Sequence, residues 1–229
     1  MLHIGIVACS TEGAALCYRT ISLEGSQMLG RNDHPEISLH SYSLAQYMKY
    51  IESGDWAGVA ELMISSAEKL ARGGADFLIC PDNTIHQAFE LIEHRSARPW
   101  LHIGREVARQ AQRSQFKRLG VLGTRYLMEG PVYPVALKAA GIEHRIPGAE
   151  QRERINQIVF DELVNGQFLP RSLAYFVEVI RALKDQGCDS VVLGCTEIPL
   201  LVTPETSPLP TLDSTRILAK AALLKAIEG

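Results

Sequence analysis

The sequence predicts an α/β chain of two pseudo-symmetric three-layer αβα halves with mostly parallel sheets, and three observations carry that prediction. Short apolar, mostly β-branched runs alternate with stretches of helical periodicity, as in βαβ units whose sheets are covered on both faces. The halves also echo each other. Ile4-Gly5-Ile6-Val7 before Ala8-Cys9-Ser10-Thr11 parallels Leu119-Gly120-Val121-Leu122 before Gly123-Thr124-Arg125-Tyr126, and Gly74-Ala75-Asp76 parallels Gly187-Cys188-Asp189. Finally, 229 residues at 46% apolar and 21% charged content suffice for one or two domains with real cores.

Taken in order, the strand-like runs are Ile4–Val7, Ile37–His40, Ala75–Ile79, Trp100–Ile103, Leu119–Leu122, Val191–Leu193 and, more weakly, Leu209–Leu212. Val59, Leu62, Met63, Ala67 and Leu70 recur at helical spacing, so Asp55–Arg72 reads as a helix stopped by Gly73-Gly74. Ile155, Ile158, Val159 and Leu163 mark another before Asn165-Gly166. Two more run from about Ser172 to Gln186 and from Ser214 to Glu228. The expected domains are residues 1–99 with 208–229, and residues 100–207, with an active-site cleft where their strand ends face one another.

Composition excludes several classes of function. A net charge of −3 without a basic block argues against nucleic acid and anionic membranes. No apolar run approaches the roughly 18 residues of a membrane span. The start, Met1-Leu2-His3-Ile4, reads as a first strand and not as a signal peptide. Five cysteines without CxxC spacing speak against both a disulfide framework and a metal site, so a reduced, cytoplasmic protein is expected. No GxGxxG, P-loop or GxSxG follows a strand.

The most informative residue is Cys195, in Val191-Val192-Leu193-Gly194-Cys195-Thr196-Glu197. A β-branched run ends in glycine and a thiol follows where the chain turns, at the strand end where open α/β folds bind ligands. The matching run of the first half is Phe77-Leu78-Ile79-Cys80-Pro81-Asp82-Asn83-Thr84.

Leu122-Gly123-Thr124-Arg125-Tyr126-Leu127-Met128-Glu129, Ile155-Asn156-Gln157-Ile158-Val159-Phe160, Gly166-Gln167-Phe168 and Gly194-Cys195-Thr196-Glu197-Ile198 are similar, in order, to stretches of the aspartate/glutamate racemase family. Asn83-Thr84-Ile85-His86, Leu101-His102-Ile103 and Pro210-Thr211-Leu212-Asp213 add to the resemblance. It implies a cofactor-independent amino-acid racemase, without pyridoxal phosphate or metal, that acts as a homodimer on a small carboxylate-bearing amino acid. Such a reaction needs a base on one face of the α-carbon and an acid on the other. Cys195 is the expected group on one face, and Asp82, Cys80 or Cys9 on the other. Matching Asn83-Thr84-Ile85-His86 to the family's N-T-x-H puts Pro81 at the first thiol position, with Cys80 one residue early. Substrate would be held by Ser10, Thr11, Asn83, Thr84, Thr124, Thr196 and Glu197. Arg154 stands where the family carries a lysine for the distal carboxylate, and a guanidinium keeps that charge. Leu218 stands where the family often has a histidine, and His86 and His102 read as structural. Two other readings keep the fold: a single-cysteine dicarboxylate cis–trans isomerase or decarboxylase, and a non-catalytic ligand-binding descendant.

Overall fold

A computed structural model describes residues 1–229. Along the chain run β1 (Ile4–Ala8), α1 (Thr11–Leu29), β2 (Ile37–Ser41), α2 (Leu44–Ser53), α3 (Trp56–Arg72), β3 (Phe77–Ile79), a 3-10 turn (Thr84–Ala88), α4 (Phe89–Ile92), β4 (Trp100–Leu101) and α5 (Ile103–Arg113). There follow β5 (Arg118–Leu122), α6 (Arg125–Glu129), α7 (Val132–Ala139), β6 (Glu143–Arg145), α8 (Ala149–Asp161), a second 3-10 turn (Leu163–Asn165), α9 (Pro170–Asp185), β7 (Ser190–Leu193), α10 (Ile198–Leu201), β8 (Thr211–Asp213) and α11 (Ser214–Glu228). No helix is long and apolar enough to cross a membrane.

The strands form two four-stranded parallel sheets of identical topology, ordered β2-β1-β3-β4 and β6-β5-β7-β8. The α/β architecture expected from the alternation of runs is therefore present. The chain divides into one compact unit of Met1–Glu106 with Thr215–Gly229 and another of Val107–Ser214. These boundaries lie several residues beyond the expected ones. Trp100 and Leu101 pair with Leu78 and Ile79 and so finish the first sheet, and Thr211–Asp213 pair with Val191–Leu193 and finish the second. Ile103, expected at a strand end, instead begins α5.

In the first unit Ile4 and Ile6 meet Cys17 and Ile21 of α1 and Leu218, Ala222 and Leu223 of α11. Gly5, on the opposite face of β1, lies under Leu70 of α3, where an added Cβ would stand 2.6 Å from Leu78. Asp55 caps α3 by accepting from Gly58 N at 2.8 Å, and the helix buries Val59, Met63, Ala67 and Leu70 along one stripe. In the second unit Leu122, Val191 and Leu193 pack with Ile155, Ile158 and Val159 of α8 and with Phe176, Ile180 and Leu183 of α9. Each such side chain taken wholly from water stabilises the fold by about 1.5–3 kcal/mol.

The two units repeat one another in register. Asp76 N donates to His3 O at 2.9 Å while its carboxylate accepts from His3 N at 2.8 Å, tying the start of β3 to β1. Asp189 does the same for β7 and β5, donating to Arg118 O at 2.9 Å and accepting from Lys117 N at 2.7 Å. Ahead of these, Ala75 N closes α3 on Leu70 O at 3.0 Å, and Cys188 N closes α9 on Leu183 O at 3.1 Å. Gly5 then pairs with Leu78 as Gly120 pairs with Val191. An offset of 113 residues relates Ala75, Asp76 and Leu78 to Cys188, Asp189 and Val191, and continued past the strand it brings Asp82, not Pro81, to the place of Cys195. The expectation that Pro81 holds that place is corrected by the strand register, because Cys80 corresponds to Leu193, the last residue of β7. Pro81 corresponds to Gly194.

Candidate active site

Each sheet reverses its strand order between its two central strands, β1 and β3 in one and β5 and β7 in the other. The carboxyl ends at such a switch point splay apart and leave a crevice lined by loop residues. In the second unit those loops are Gly123-Thr124 and Gly194-Cys195-Thr196-Glu197. The backbone is tight here. Gly194 N donates to Leu122 O at 2.7 Å, and a Cβ on Gly194 would stand 2.7 Å from that same oxygen and 2.5 Å from Leu127 Cδ2. Only glycine lets the chain leave β7 so close to β5, and this turn presents Cys195 half-buried at the strand end.

The Cys195 Sγ donates to Glu197 Oε2 at 2.9 Å, and the Thr196 hydroxyl donates to the same oxygen at 2.7 Å. Thr196 and Glu197 are 5% and 4% exposed. A carboxylate held this way is the acceptor toward which the thiol proton can move. Beneath them Ser214 Oγ donates to Leu193 O at 2.9 Å. Beside Ser214 is the buried Tyr133, whose hydroxyl is held protonated by burial despite its bond to Ser214. Thr124 caps α6, accepting from Leu127 N at 3.2 Å, and Asn156 of α8 accepts from Arg125 N at 2.9 Å, pinning this loop. Arg154 is exposed on α8 and bonds Gln157 at 3.3 Å.

In the first unit the equivalent loops are Cys9-Ser10-Thr11 and Cys80-Pro81-Asp82-Asn83. Ser10 Oγ caps α1 by accepting from Gly13 N at 3.3 Å, and Thr11 opens that helix, exposed. Cys9 is 2% exposed and Cys80 fully buried; burial first, and then Asp82, pushes the Cys80 thiol well up. That holds Cys80 as a neutral thiol, unsuited to removing a proton. Asp82 is half-buried, and one carboxylate oxygen accepts from Ile85 N at 3.2 Å, capping the 3-10 turn. Asn83 and Thr84 are buried beside it.

His86 braces this loop. Its Nδ1 donates to Asp82 O at 2.7 Å and its Nε2 accepts from Ile103 N at 3.3 Å, which fixes a neutral tautomer. The His102 Nδ1 accepts from Gly104 N and Arg105 N at the start of α5, and the two rings meet edge to face at 4.7 Å. Burial pushes His86 down to about 4 and His102 down to about 2. A histidine with a depressed folded-state pKa contributes stability above its unfolded value near 6.5, and that stability is lost as pH falls toward the folded value. Unfolding free energy should therefore drop between pH 6.5 and 4, by roughly 3 kcal/mol from His86 alone. His86→Gln should flatten that part of the curve in urea titrations at stepped pH. An unchanged slope would remove His86 as its source.

The structure thus gathers Cys195, Thr196 and Glu197 at one strand end, and Cys9, Cys80 and Asp82 around the equivalent end of the other sheet. Arg154 shares no hydrogen bond with Cys195. Sequence reasoning had Glu197 as a substrate-binding group and did not see its bond to the thiol; the two-residue spacing past the strand was the available signal. No group of three or more His, Cys, Asp or Glu side chains is placed to hold a metal ion.

Comparison with known proteins identifies the family and the fold. A family model described as Asp/Glu/Hydantoin racemase matches residues 6–222. The broad-specificity amino-acid racemase RacX of Bacillus subtilis (strain 168) is 25% identical over 83% of this chain and 82% of its own. The structure of an Asp/Glu racemase candidate from Yersinia pestis has a TM-score of 0.91 at 33% identity, covering 99% of this chain and 100% of that one. An aspartate racemase homologue from Pyrococcus horikoshii OT3 has a TM-score of 0.86 at 25% identity, with 99% and 100% covered.

Proposed function

This chain belongs to the Asp/Glu/Hydantoin racemase family, and on that premise we propose that it inverts the α-carbon of a small acidic amino acid, with Cys195 and Asp82 as its two acid–base groups. The observation that carries this reading is the Cys195 thiol bonded to the buried Glu197 carboxylate at the end of β7.

For one enantiomer, the Cys195 proton passes to Glu197 and the resulting thiolate takes the α-proton. Asp82 in its acid form then delivers a proton to the other face of the carbanion. For the opposite enantiomer the roles exchange: Asp82 as carboxylate removes the proton and the Cys195 thiol donates. A carboxylate can fill the place of a thiol because both titrate by one proton and both carry negative charge as bases. The Thr196 hydroxyl gives its hydrogen to Glu197, so toward the substrate ammonium it acts as an acceptor. Asn83, Thr84, Ser10, Thr11 and Thr124 complete the polar lining, and the exposed Arg154 guanidinium is a partner for the distal carboxylate. Cys80 and Cys9 pack in the core and take no part. The same reading has the protein work without pyridoxal phosphate, in the cytoplasm and as a homodimer.

A second reading rests on one feature: of the five cysteines, Cys195 alone is half-buried and the other four are buried. A dicarboxylate cis–trans isomerase or a decarboxylase with a lone thiol would need no more than that.

Incubation of the protein with each enantiomer of aspartate and glutamate in deuterated water separates the two. The racemase reading predicts α-deuterium incorporation together with optical inversion from both enantiomers of one of these acids. Absence of both exchange and inversion would overturn it and favour the lone-thiol reactions.

A further inference from the structure

The edges of the two sheets are guarded unequally. An edge strand presents unpaired N–H and C=O groups to water and invites a further strand, so folds blunt it by shortness, charge or proline. β4 has two residues and β8 three, which leaves little to pair with. β6 has three, of which Glu143 and Arg145 are charged and exposed. β2 carries none of these defences. Its five residues, Ile37-Ser38-Leu39-His40-Ser41, include no proline, no acid, no lysine and no arginine, and Leu39 is 46% exposed.

The ladder fixes which groups of β2 face outward. Ile4 pairs with Ile37, and Ile4 N donates to Glu36 O at 2.9 Å. In a parallel ladder this alternation turns the peptide groups of Ser38 and His40 toward β1 and those of Ile37, Leu39 and Ser41 away from it. No other segment of the chain takes up the outward groups. Side chains alternate too. Ile37 packs with the core under α1 and α11, so Leu39 stands on that face. On the other face His40 lies 2.8 Å from Ser66 of α3, and Tyr42 lies 2.8 Å from Ser65.

Two charges on this second face are poorly matched within the chain. Glu36 has a side chain 77% exposed, and its one ionic neighbour is His3, at 3.7 Å. Lys69 of α3 is exposed and donates to His40 Nε2 at 3.1 Å and to the Tyr42 hydroxyl at 2.7 Å, with no carboxylate in an ion pair. An ammonium has three hydrogens, so one is left for an acid.

We propose that β2 pairs antiparallel with β2 of a second copy of this chain, about a two-fold axis through Leu39, joining the first-unit sheets of both copies into one. The inference rests on the homodimer of the reading above and names its interface. Hydrogen-bonded antiparallel pairs exchange both N–H···O bonds, and the outward residues Ile37, Leu39 and Ser41 supply the groups for them. Leu39 faces Leu39 of the second copy, and Ile37 faces its Ser41. The two exposed leucines thereby cover each other on one face. On the opposite face the same register sets Glu36 across from Tyr42 of the second copy, beside its Lys69. The two-fold makes that contact at both ends of the joined strands, so the patch is complementary to itself, as an isologous interface requires.

Sedimentation equilibrium over a dilution series tests this directly, and the wild type should be a dimer. Leu39→Asp sets like charges against each other at the axis and should raise the dissociation constant by about a hundredfold. Leu39 is exposed, so the variant keeps its fold, which circular dichroism verifies. Glu36→Lys and Lys69→Glu should each weaken the dimer about tenfold, and together return it to within about threefold of wild type. On mild oxidation Leu39→Cys should cross-link to itself, whereas Ser41→Cys, which faces Ile37, should not. A wild type that stays monomeric at every concentration would overturn the homodimer together with its interface. A dimer that Leu39→Asp leaves intact would overturn this interface alone, as would self-cross-linking of Ser41→Cys in place of Leu39→Cys. All of these are read without turnover, so none bears on the roles of Cys195 and Asp82.

Discussion

Cys195→Ala is expected to lower inversion, and α-proton exchange of the enantiomer whose proton Cys195 removes, by about 10²- to 10⁴-fold, the range for a positioned acid–base group, with little change in folding stability. The thiol is half-buried and only borders the core formed by α8, α9 and β7, so its removal leaves no large cavity. Its proton partner, Glu197, remains bonded to Thr196 at 2.7 Å, so the buried carboxylate is not orphaned. Loss of inversion and of that exchange in a protein with an unchanged melting temperature would locate the defect in chemistry. If the alanine variant turned over within a factor of two of the wild type, Cys195 would have no part in the reaction.

Asp82→Asn is expected to abolish inversion by a comparable factor while sparing exchange from one enantiomer. Asparagine keeps an oxygen to accept from Ile85 N, so the cap of the 3-10 turn survives and the loop stays in place. What it loses is the proton. Cys195 can still remove and return hydrogen on its own face, so one enantiomer should gain α-deuterium in deuterated water and keep its configuration. Chiral chromatography alongside proton NMR reads both quantities from one sample. Inversion at the wild-type rate would return the second role to another group.

Most of the architecture was legible because buried parallel strands write themselves as apolar runs. β1, β2, β5 and β7 lie where those runs are. β6 was missed, since Glu143-His144-Arg145 is an edge strand with two exposed charged residues and no apolar pattern. α1 left no strong stripe because, Ile21 apart, its buried face is built from Gly13, Ala14, Cys17, Thr20 and Gly25, small residues that hydropathy hardly marks. The domain crossings were displaced because a two-residue strand such as Trp100–Leu101 shows its sheet only through its pairing. At the site, Cys195 was legible from a glycine and a thiol at a strand end. The place of Asp82 was not, because position along a strand differs by whole residues and a one-residue slip turns a side chain to the other face. The Asp76 and Asp189 tethers, together with the pairing of Gly5 with Leu78 and of Gly120 with Val191, set that register.

The most direct measurement is α-deuterium incorporation into each enantiomer of the turned-over acid by Cys195→Ala and Asp82→Asn, side by side in deuterated water. Two acid–base groups serving opposite faces predict a crossed result: each variant exchanges one enantiomer, the enantiomers differ, and neither variant inverts. Exchange of the same enantiomer by both variants would contradict the assignment of Cys195 and Asp82 to opposite faces of the α-carbon.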